Sequence, residues 1–464
     1  MSKITTVGMG VAGSEAGTYI GLTSNLRIDL DEVEYQDRRR FGGWGFQKFP
    51  STETTNLAMR KMYLTKDPFD IFIWSQQANR SNWPEQYRDF KFHPHETFPR
   101  CLMQEYVKWR RSLVDSDLVN YNPVNAEAVR VYVESDHVGV RMADGSIIES
   151  DRLIMASGSI AVKVPDYLKH LSGNQKIIFD PLDLDGHQAR MAIHPDASVL
   201  VLGTGLTGEE QIAVLHKNGH RGRMNLFSRG GQRHFRYEQN QSNKELILAS
   251  PPAFLMSETP EEFNEELSVF FASYLSKGHS PEDIFAAIRP FWNDVRADLG
   301  GCKKAAQRLR DFRRTLATHS IGCPHGVCEI IEKTLADETL EIINGNINSV
   351  EDVGDQLEVK FEDRTERYDF IINAVGRNII RHEIWENMIK DGLAKKHAGI
   401  GIRVGETGRL VNEKGEESDR IWVVGMARAG DHALRHGFLG NTAFNVPQVR
   451  SHLYDTIDDL LSTL

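Results

Sequence analysis

The chain has 464 residues, enough for two or three domains with sizeable cores. Its 55 basic and 65 acidic residues leave a net charge of −10, which implies no general attraction to nucleic acid or to an anionic membrane. No apolar run approaches the ~18 residues of a membrane span, no leader is expected ahead of the strand starting at Ile4, and four cysteines are few for this length. A reduced, cytoplasmic protein is the expectation.

The first element is a strand closing on Gly8-Met9-Gly10-Val11-Ala12-Gly13. Glycines at these three places permit a tight turn, admit a pyrophosphate to the backbone, and let helix and strand pack closely. The helix that follows carries Ala12, Ala16, Tyr19 and Ile20 at helical spacing, and its N-terminus offers free N–H groups to an anion. A second strand, Glu32-Val33-Glu34-Tyr35-Gln36-Asp37, ends on an acid. Asp37 follows Gly13 at close to the ~20-residue spacing of a ribose-binding carboxylate. Arg38-Arg39-Arg40-Phe41-Gly42-Gly43-Trp44 forms the next loop; the basic run reads as mostly solvated, with Arg38 placed to touch a bound nucleotide.

A helical, aromatic-rich stretch is expected from Met59 to about Leu113, broken by the proline- and histidine-marked loop 92–100. His93 and His95 read as loop polar groups before substrate ligands. Strands 129–133 and 138–142 alternate, Asp144-Gly145 makes the next hairpin turn, and the meander ends in Ala156-Ser157-Gly158.

The apolar strand 198–202 opens a second fingerprint, Gly203-Thr204-Gly205-Leu206-Thr207-Gly208. Here the following strand ends in Ser228-Arg229 where an acid would be expected. A hydroxyl and a planar guanidinium suit a 2′-phosphate, whereas a carboxylate suits a free ribose diol. The asymmetry assigns FAD to the first site and NADPH to the second.

Residues 243–318 read as helical, with starts at Pro260 and Pro281, and form an insert in the second nucleotide unit. Phe270, Phe271 and Trp292 in this insert read as core. Cys323-Pro324-His325-Gly326-Val327-Cys328 follows; ordinary thiols are the reading, set beside a redox disulfide and a metal site that lacks a further ligand pair. No metal is expected. His319 and His325 read as His93 and His95 do. Strands at 340–343 and 357–361 lead to 370–376, which repeats the organisation of 152–158. The strand 421–426 then breaks at Gly425, and a terminal helix places Val449, Leu453, Ile457 and Leu461 on one face.

With Gly8/Gly10/Gly13, Phe41-Gly42-Gly43, Thr55-Asn56-Leu57, Phe98-Pro99-Arg100, Ala156-Ser157-Gly158, Gly203/Gly205/Gly208, Ser228-Arg229-Gly230 and Gly425, the chain resembles two-dinucleotide-domain flavoproteins. More narrowly, it is similar to flavin-dependent N-hydroxylating monooxygenases and a bacterial FAD-dependent urate hydroxylase. It departs from them in reading Ala-Ser-Gly and Ala-Val-Gly for Ala-Thr-Gly, and in holding Met426 where an acid is usual.

The resemblance implies an α/β fold of two Rossmann-like domains with a helical insert. Residues 1–165 and 377–464 would form the FAD unit, 166–242 and 319–376 the NADPH unit, and 243–318 the insert. It implies Gly8, Gly10, Gly13, Asp37, Arg38, Gly42, Gly43, Asn56, Val129, Ser157, Gly158, Gly425 and Asn441 at the flavin. Gly203, Gly205, Gly208, Ser228 and Arg229 would hold the nicotinamide coenzyme. The implied activity is an NADPH-consuming monooxygenase that hydroxylates a small, nitrogen-bearing metabolite with oxygen through a C4a-(hydro)peroxyflavin. The cofactor carries the hard chemistry, so no catalytic dyad need show in the sequence. Two other readings stand beside it: an NAD(P)H:acceptor oxidoreductase and a flavin-binding regulatory protein. Nothing in the sequence decides whether the chain forms a homo-oligomer.

Overall fold

The computed structural model describes residues 1–47, 53–115, 117–158, 161–231, 246–257, 260–279, 284, 287–288, 291, 325–397, 401–431 and 446–464. The chain starts with β1 (Ser2–Val7), α1 (Val11–Thr23) and β2 (Ile28–Glu34). After 3-10 turns come α2 (Asp70–Gln77) and α3 (Leu102–Ser112), then β3 (Val119–Asn125). An antiparallel meander follows, β4 (Ala128–Val133), β5 (Val138–Met142) and β6 (Ile147–Ser150), and β7 (Arg152–Met155) returns to the sheet.

A connecting segment holds β8 (Ala161–Val162), β9 (Ile177–Ile178) and α4 (Leu184–Met191). The second unit then runs β10 (Val199–Leu202), α5 (Leu206–Lys217), β11 (Met224–Phe227), α6 (Pro260–Leu275), α7 (His325–Ala336) and β12 (Leu340–Ile343). Its own meander is β13 (Ile347–Asp352), β14 (Leu357–Phe361) and β15 (Thr365–Tyr368), and β16 (Phe370–Asn373) closes it. The last part comprises β17 (Arg377–Asn378), α8 (Glu383–Lys390), β18 (Lys396–His397), β19 (Gly401–Ile402), β20 (Arg409–Val411), β21 (Glu417–Val423) and α9 (Val446–Leu461).

The two largest sheets among the described residues are ordered β20-β21-β7-β1-β2-β3 and β12-β11-β10-β16-β9. The order 3-2-1-7 in one is the order 12-11-10-16 in the other, and the three-stranded meander sits at the same place in both. The doubling expected from the fingerprints therefore extends to whole units. Val199, Leu200, Val201 and Leu202 are all buried, the continuous apolar reading of a parallel strand covered on both faces. β20 and β21 join the first sheet, with β21 parallel to β7, so the chain after Arg377 returns to the unit in which it began.

Helix α9 follows the sequence pattern. Val449, Leu453 and Ile457 are buried in one cluster with Ala12, Ala16 and Ile20 of α1, and Leu461 packs at its margin. Truncating Leu453 to alanine there should cost about 2–5 kcal/mol. α6 begins at Pro260 as expected, and Phe271 is buried, whereas Pro281, Trp292, Cys302, His319 and Cys323 lie outside the described residues. No helix among the described residues is long and apolar enough to cross a membrane.

Candidate dinucleotide sites and the cavity between them

Each glycine loop follows the first strand of its unit and opens the next helix. Gly8 (φ +94°) and Gly203 (φ +108°) adopt left-handed backbone, which favours glycine. A Cβ on Gly8 would lie 2.6 Å from the Ala156 carbonyl oxygen, and one on Gly203 would lie 2.5 Å from that of Ala374. On the third glycines it would meet a carbonyl oxygen of the same loop, at 1.9 Å for Gly13 and 1.8 Å for Gly208. Gly10 and Gly205 are the N-caps of α1 and α5, without a side-chain cap, so the helix N–H groups stay open to an anion. Gly10 faces Gly43, whose Cα would be 3.2 Å from a Cβ on Gly10.

Strand register makes the two loops comparable residue by residue. Val7 pairs with Val33, and Leu202 with Phe227. Glu34 and Ser228 are thus equivalent positions, one step beyond the second strand. The Met9 N–H donates to Glu34 Oε2 at 2.9 Å, the Tyr35 N–H to Glu34 Oε1 at 3.0 Å, and the Thr204 hydroxyl to Ser228 Oγ at 3.0 Å. Burial pushes the Glu34 carboxyl up, while the backbone N–H groups and Arg39 and Arg40 pull it back. With both oxygens held, its remaining lone pairs can accept from a ribose diol.

Asp37, the acid expected from spacing, is elsewhere. β2 ends at Glu34, and the chain turns into a 3-10 helix at Asp37–Arg39. The Asp37 side chain is 78% exposed, accepts from Arg40 Nε at 2.8 Å, and does not line the cavity. The arginine run is fixed by local partners. Arg38 pairs with Asp183 at 2.9 Å, and Arg40 also donates to the carbonyls of Glu32 and Val124. Arg39, not Arg38, reaches the cavity wall.

A cavity of about 860 Å³ lies between the two units. Of the expected residues, Gly8, Gly10, Gly42, Gly43, Asn56, Ser157, Gly158, Gly203, Gly205 and Gly425 line it. Gly13 and Gly208 sit behind, in the helix–strand contacts. The Val129 carbonyl accepts from Asn387 at 2.8 Å, and its neighbours Ala126, Glu127 and Ala128 take the wall instead. Ser157 Oγ accepts from the Trp385 indole N–H at 2.8 Å, which fixes the end of β7. Gly425 donates its N–H to His452 at 3.1 Å, tying the last strand to α9. Ser228 and the exposed Arg229 stand outside this cavity, at the far edge of the second loop. Asn441, with the rest of its loop, lies outside the described residues.

Several groups in the wall were not singled out as contacts by sequence reasoning. Arg39 and Arg377 both lie over the Trp44 ring, at 3.2 and 4.2 Å. Asp183 pairs with Arg39 at 3.5 Å, and Asp180 with Arg377. Arg100 pairs with Glu210 of α5, and buried Arg190 of α4 pairs with Glu53 at 3.1 Å. His93 and His95 remain in an exposed loop off the cavity. Cys101 and Cys328 are buried thiols, and no cluster suited to a metal ion occurs among the described residues.

These features define a chain of two dinucleotide-binding units facing a shared cavity. In agreement, residues 5–160 match the model of a family described as FAD-NAD(P)-binding. No curated protein sequence matches the chain. Among solved structures it is similar to a reduced ornithine hydroxylase from Pseudomonas aeruginosa (TM-score 0.62, 15% identity, covering 100% of this chain and 99% of that one). It is also similar to an L-lysine 6-monooxygenase from Pseudomonas syringae (0.62, 16%, 100% of both chains). A third similar structure is an ornithine N-hydroxylase from Kutzneria sp. 744 with reduced FAD, NADP+ and L-ornithine (0.60, 13%, 99% of both). The chain thus shares the whole fold of these proteins.

Proposed function

We propose that the protein is an FAD-dependent, NADPH-consuming monooxygenase that hydroxylates a small, nitrogen-bearing metabolite. The observation that carries this reading is the single cavity walled by both glycine loops, which suits two dinucleotides meeting at their reactive ends. The kinship in fold with enzymes described as ornithine and lysine hydroxylases supports it and suggests the substrate class.

The first loop fits FAD by its glycine cradle, its open helix N-terminus and Glu34. On this reading 1–165 and 377–464 build the flavin unit, and 166–242 with 319–376 the coenzyme unit. When bound, FAD accepts hydride from NADPH and activates oxygen for transfer to the substrate. The chain's own work is placement. Gly10 and Gly43 leave room for a pyrophosphate, and Glu34 takes the ribose of the first dinucleotide. Ser228 and Arg229 meet the 2′-phosphate of the second. The apolar wall of Val7, Val33, Ala128, Ile379 and Ile384 keeps water from the bound rings.

The test is a screen of amines and nitrogen heterocycles with the FAD-loaded protein. It scores stimulated NADPH consumption and hydroxylated product by mass spectrometry. Stoichiometric product supports the reading. Electron delivery to a quinone with no oxygenated product would replace it with an acceptor reductase.

A further inference from the structure

Arg100 and Glu210 occupy an unusual position in the cavity wall. Arg100 precedes α3 in the first unit, and its Nε donates to the Thr54 carbonyl at 3.2 Å. Glu210 stands on the second turn of α5, behind Gly205, Leu206 and Thr207, which line the same wall. The two side chains are 17% and 4% exposed and form an ion pair across the seam between the units. The wall near the start of α5 therefore carries the Arg100 guanidinium, offset first by Glu210 and then by Glu53.

We propose that Glu210 sets the charge that Arg100 presents at the second glycine loop, so that protonating Glu210 strengthens the loop's hold on a dinucleotide pyrophosphate. This rests on the assignment of the second loop to a nicotinamide dinucleotide. Ionised, Glu210 offsets the guanidinium's charge near the helix N-terminus, where an anion is to bind. Protonated, it leaves the cation beside the helix N–H groups opposed only by Glu53, which is itself paired with Arg190 at 3.1 Å.

The surroundings make this exchange accessible near neutral pH. Burial pushes the Glu210 carboxyl up to about 7, opposed by Arg100 and Arg190 and aided by Glu53. Among the described residues, the other charged groups facing it are paired or remote. Arg190 of α4 is committed to Glu53 at 3.1 Å and to the Pro181 carbonyl at 3.3 Å, with His187 Nδ1 2.9 Å from its guanidinium. Lys217, at the far end of α5, is pushed down by burial and pulled up by Glu210. Glu209, its helix neighbour, is buried and outside the cavity wall.

The experiment measures the NADP+ dissociation constant of the FAD-loaded protein at pH 6 and pH 8, by the change in flavin absorbance. Wild type, Glu210→Gln and Arg100→Gln are compared, so that the coenzyme phosphate's own titration cancels. Wild type should bind more tightly at pH 6, by roughly tenfold beyond any change seen in Glu210→Gln, as expected for one charge-assisted contact. Glu210→Gln should bind at pH 8 with the affinity wild type reaches at pH 6. Arg100→Gln should bind weakly at both, with no excess pH dependence. If wild type and Glu210→Gln respond equally to pH, the charge control is overturned. The same holds if Arg100→Gln keeps the wild-type response, a comparison that stands even where Glu210→Gln fails to fold. Absence of NADP+ binding at both pH values in wild type would overturn the second-loop assignment and the charge control with it.

Discussion

The Met9 N–H points at Glu34, 2.9 Å from its Oε2, so the first glycine loop and the end of β2 are joined by one hydrogen bond. The second unit makes the equivalent join with side chains, through the Thr204 and Ser228 hydroxyls. Both units hold the residue one step beyond the second strand by the same device, yet one presents an acid and the other a hydroxyl.

Exchanging Glu34 for alanine should weaken FAD binding by roughly tenfold to a hundredfold, the worth of charge-assisted hydrogen bonds. Asp37→Ala should leave it close to wild type, because Asp37 is exposed and turned to Arg40. Titrating FAD into the apoprotein by fluorescence quenching compares the two. A larger loss at Asp37 would restore the acid that spacing alone suggests.

Gly10→Val should yield a folded but colourless protein. Its Cβ would stand 3.2 Å from Gly43 Cα, and the branches would fill the space meant for a pyrophosphate. Circular dichroism reports the fold and visible absorbance the flavin. A yellow, fully loaded variant would refute the placement.

Arg229→Ala should raise the apparent KM for NADPH roughly tenfold to a hundredfold and leave that for NADH nearly unchanged. Equal losses with both coenzymes would show that Arg229 does not read the 2′-phosphate.

Asp459 of α9 ties the last helix to the first sheet, accepting from Arg409 Nε and the Trp422 indole N–H, each at 2.7 Å. Burial alone would raise its carboxyl, but these donors hold it below the usual range. A depressed folded value means stability that is present above the unfolded pKa and lost as pH falls through the folded one. Asp459→Asn should therefore cost about 1–3 kcal/mol at pH 7. The gap to wild type should begin to narrow below about pH 4 and close as pH falls through the depressed folded value. Urea unfolding across pH 3 to 7 reads this directly, and a gap that persists in acid would argue for a packing defect.

The glycine loops were legible because their constraint is local and steric: no side chain fits at Gly8, Gly13, Gly203 or Gly208. The doubled units were legible for the same reason, through the paired strand endings at Ala156 and Ala374. Glu34 was not, since Glu32, Glu34 and Asp37 all stand in or beside an alternating run. Only the pairing of Val33 with Val7 fixes which acid leaves the sheet beside the loop. Arg39 and Arg38 are indistinguishable in sequence for the same reason. The pairing of Arg100 with Glu210, 110 positions apart, depends wholly on how the units meet.

The turn Asp180-Pro181-Leu182-Asp183 holds more than its length suggests. Its two carboxylates pair with Arg377 and Arg39, the guanidiniums above the Trp44 ring, and its two inner carbonyls accept from Arg190 and from Gln47. Four residues thus act as a clasp on groups from both halves of the molecule. Any hinge motion that widens the cavity to admit or discharge a ligand must either carry this clasp along or undo it, and the turn is therefore the place where opening would be felt first.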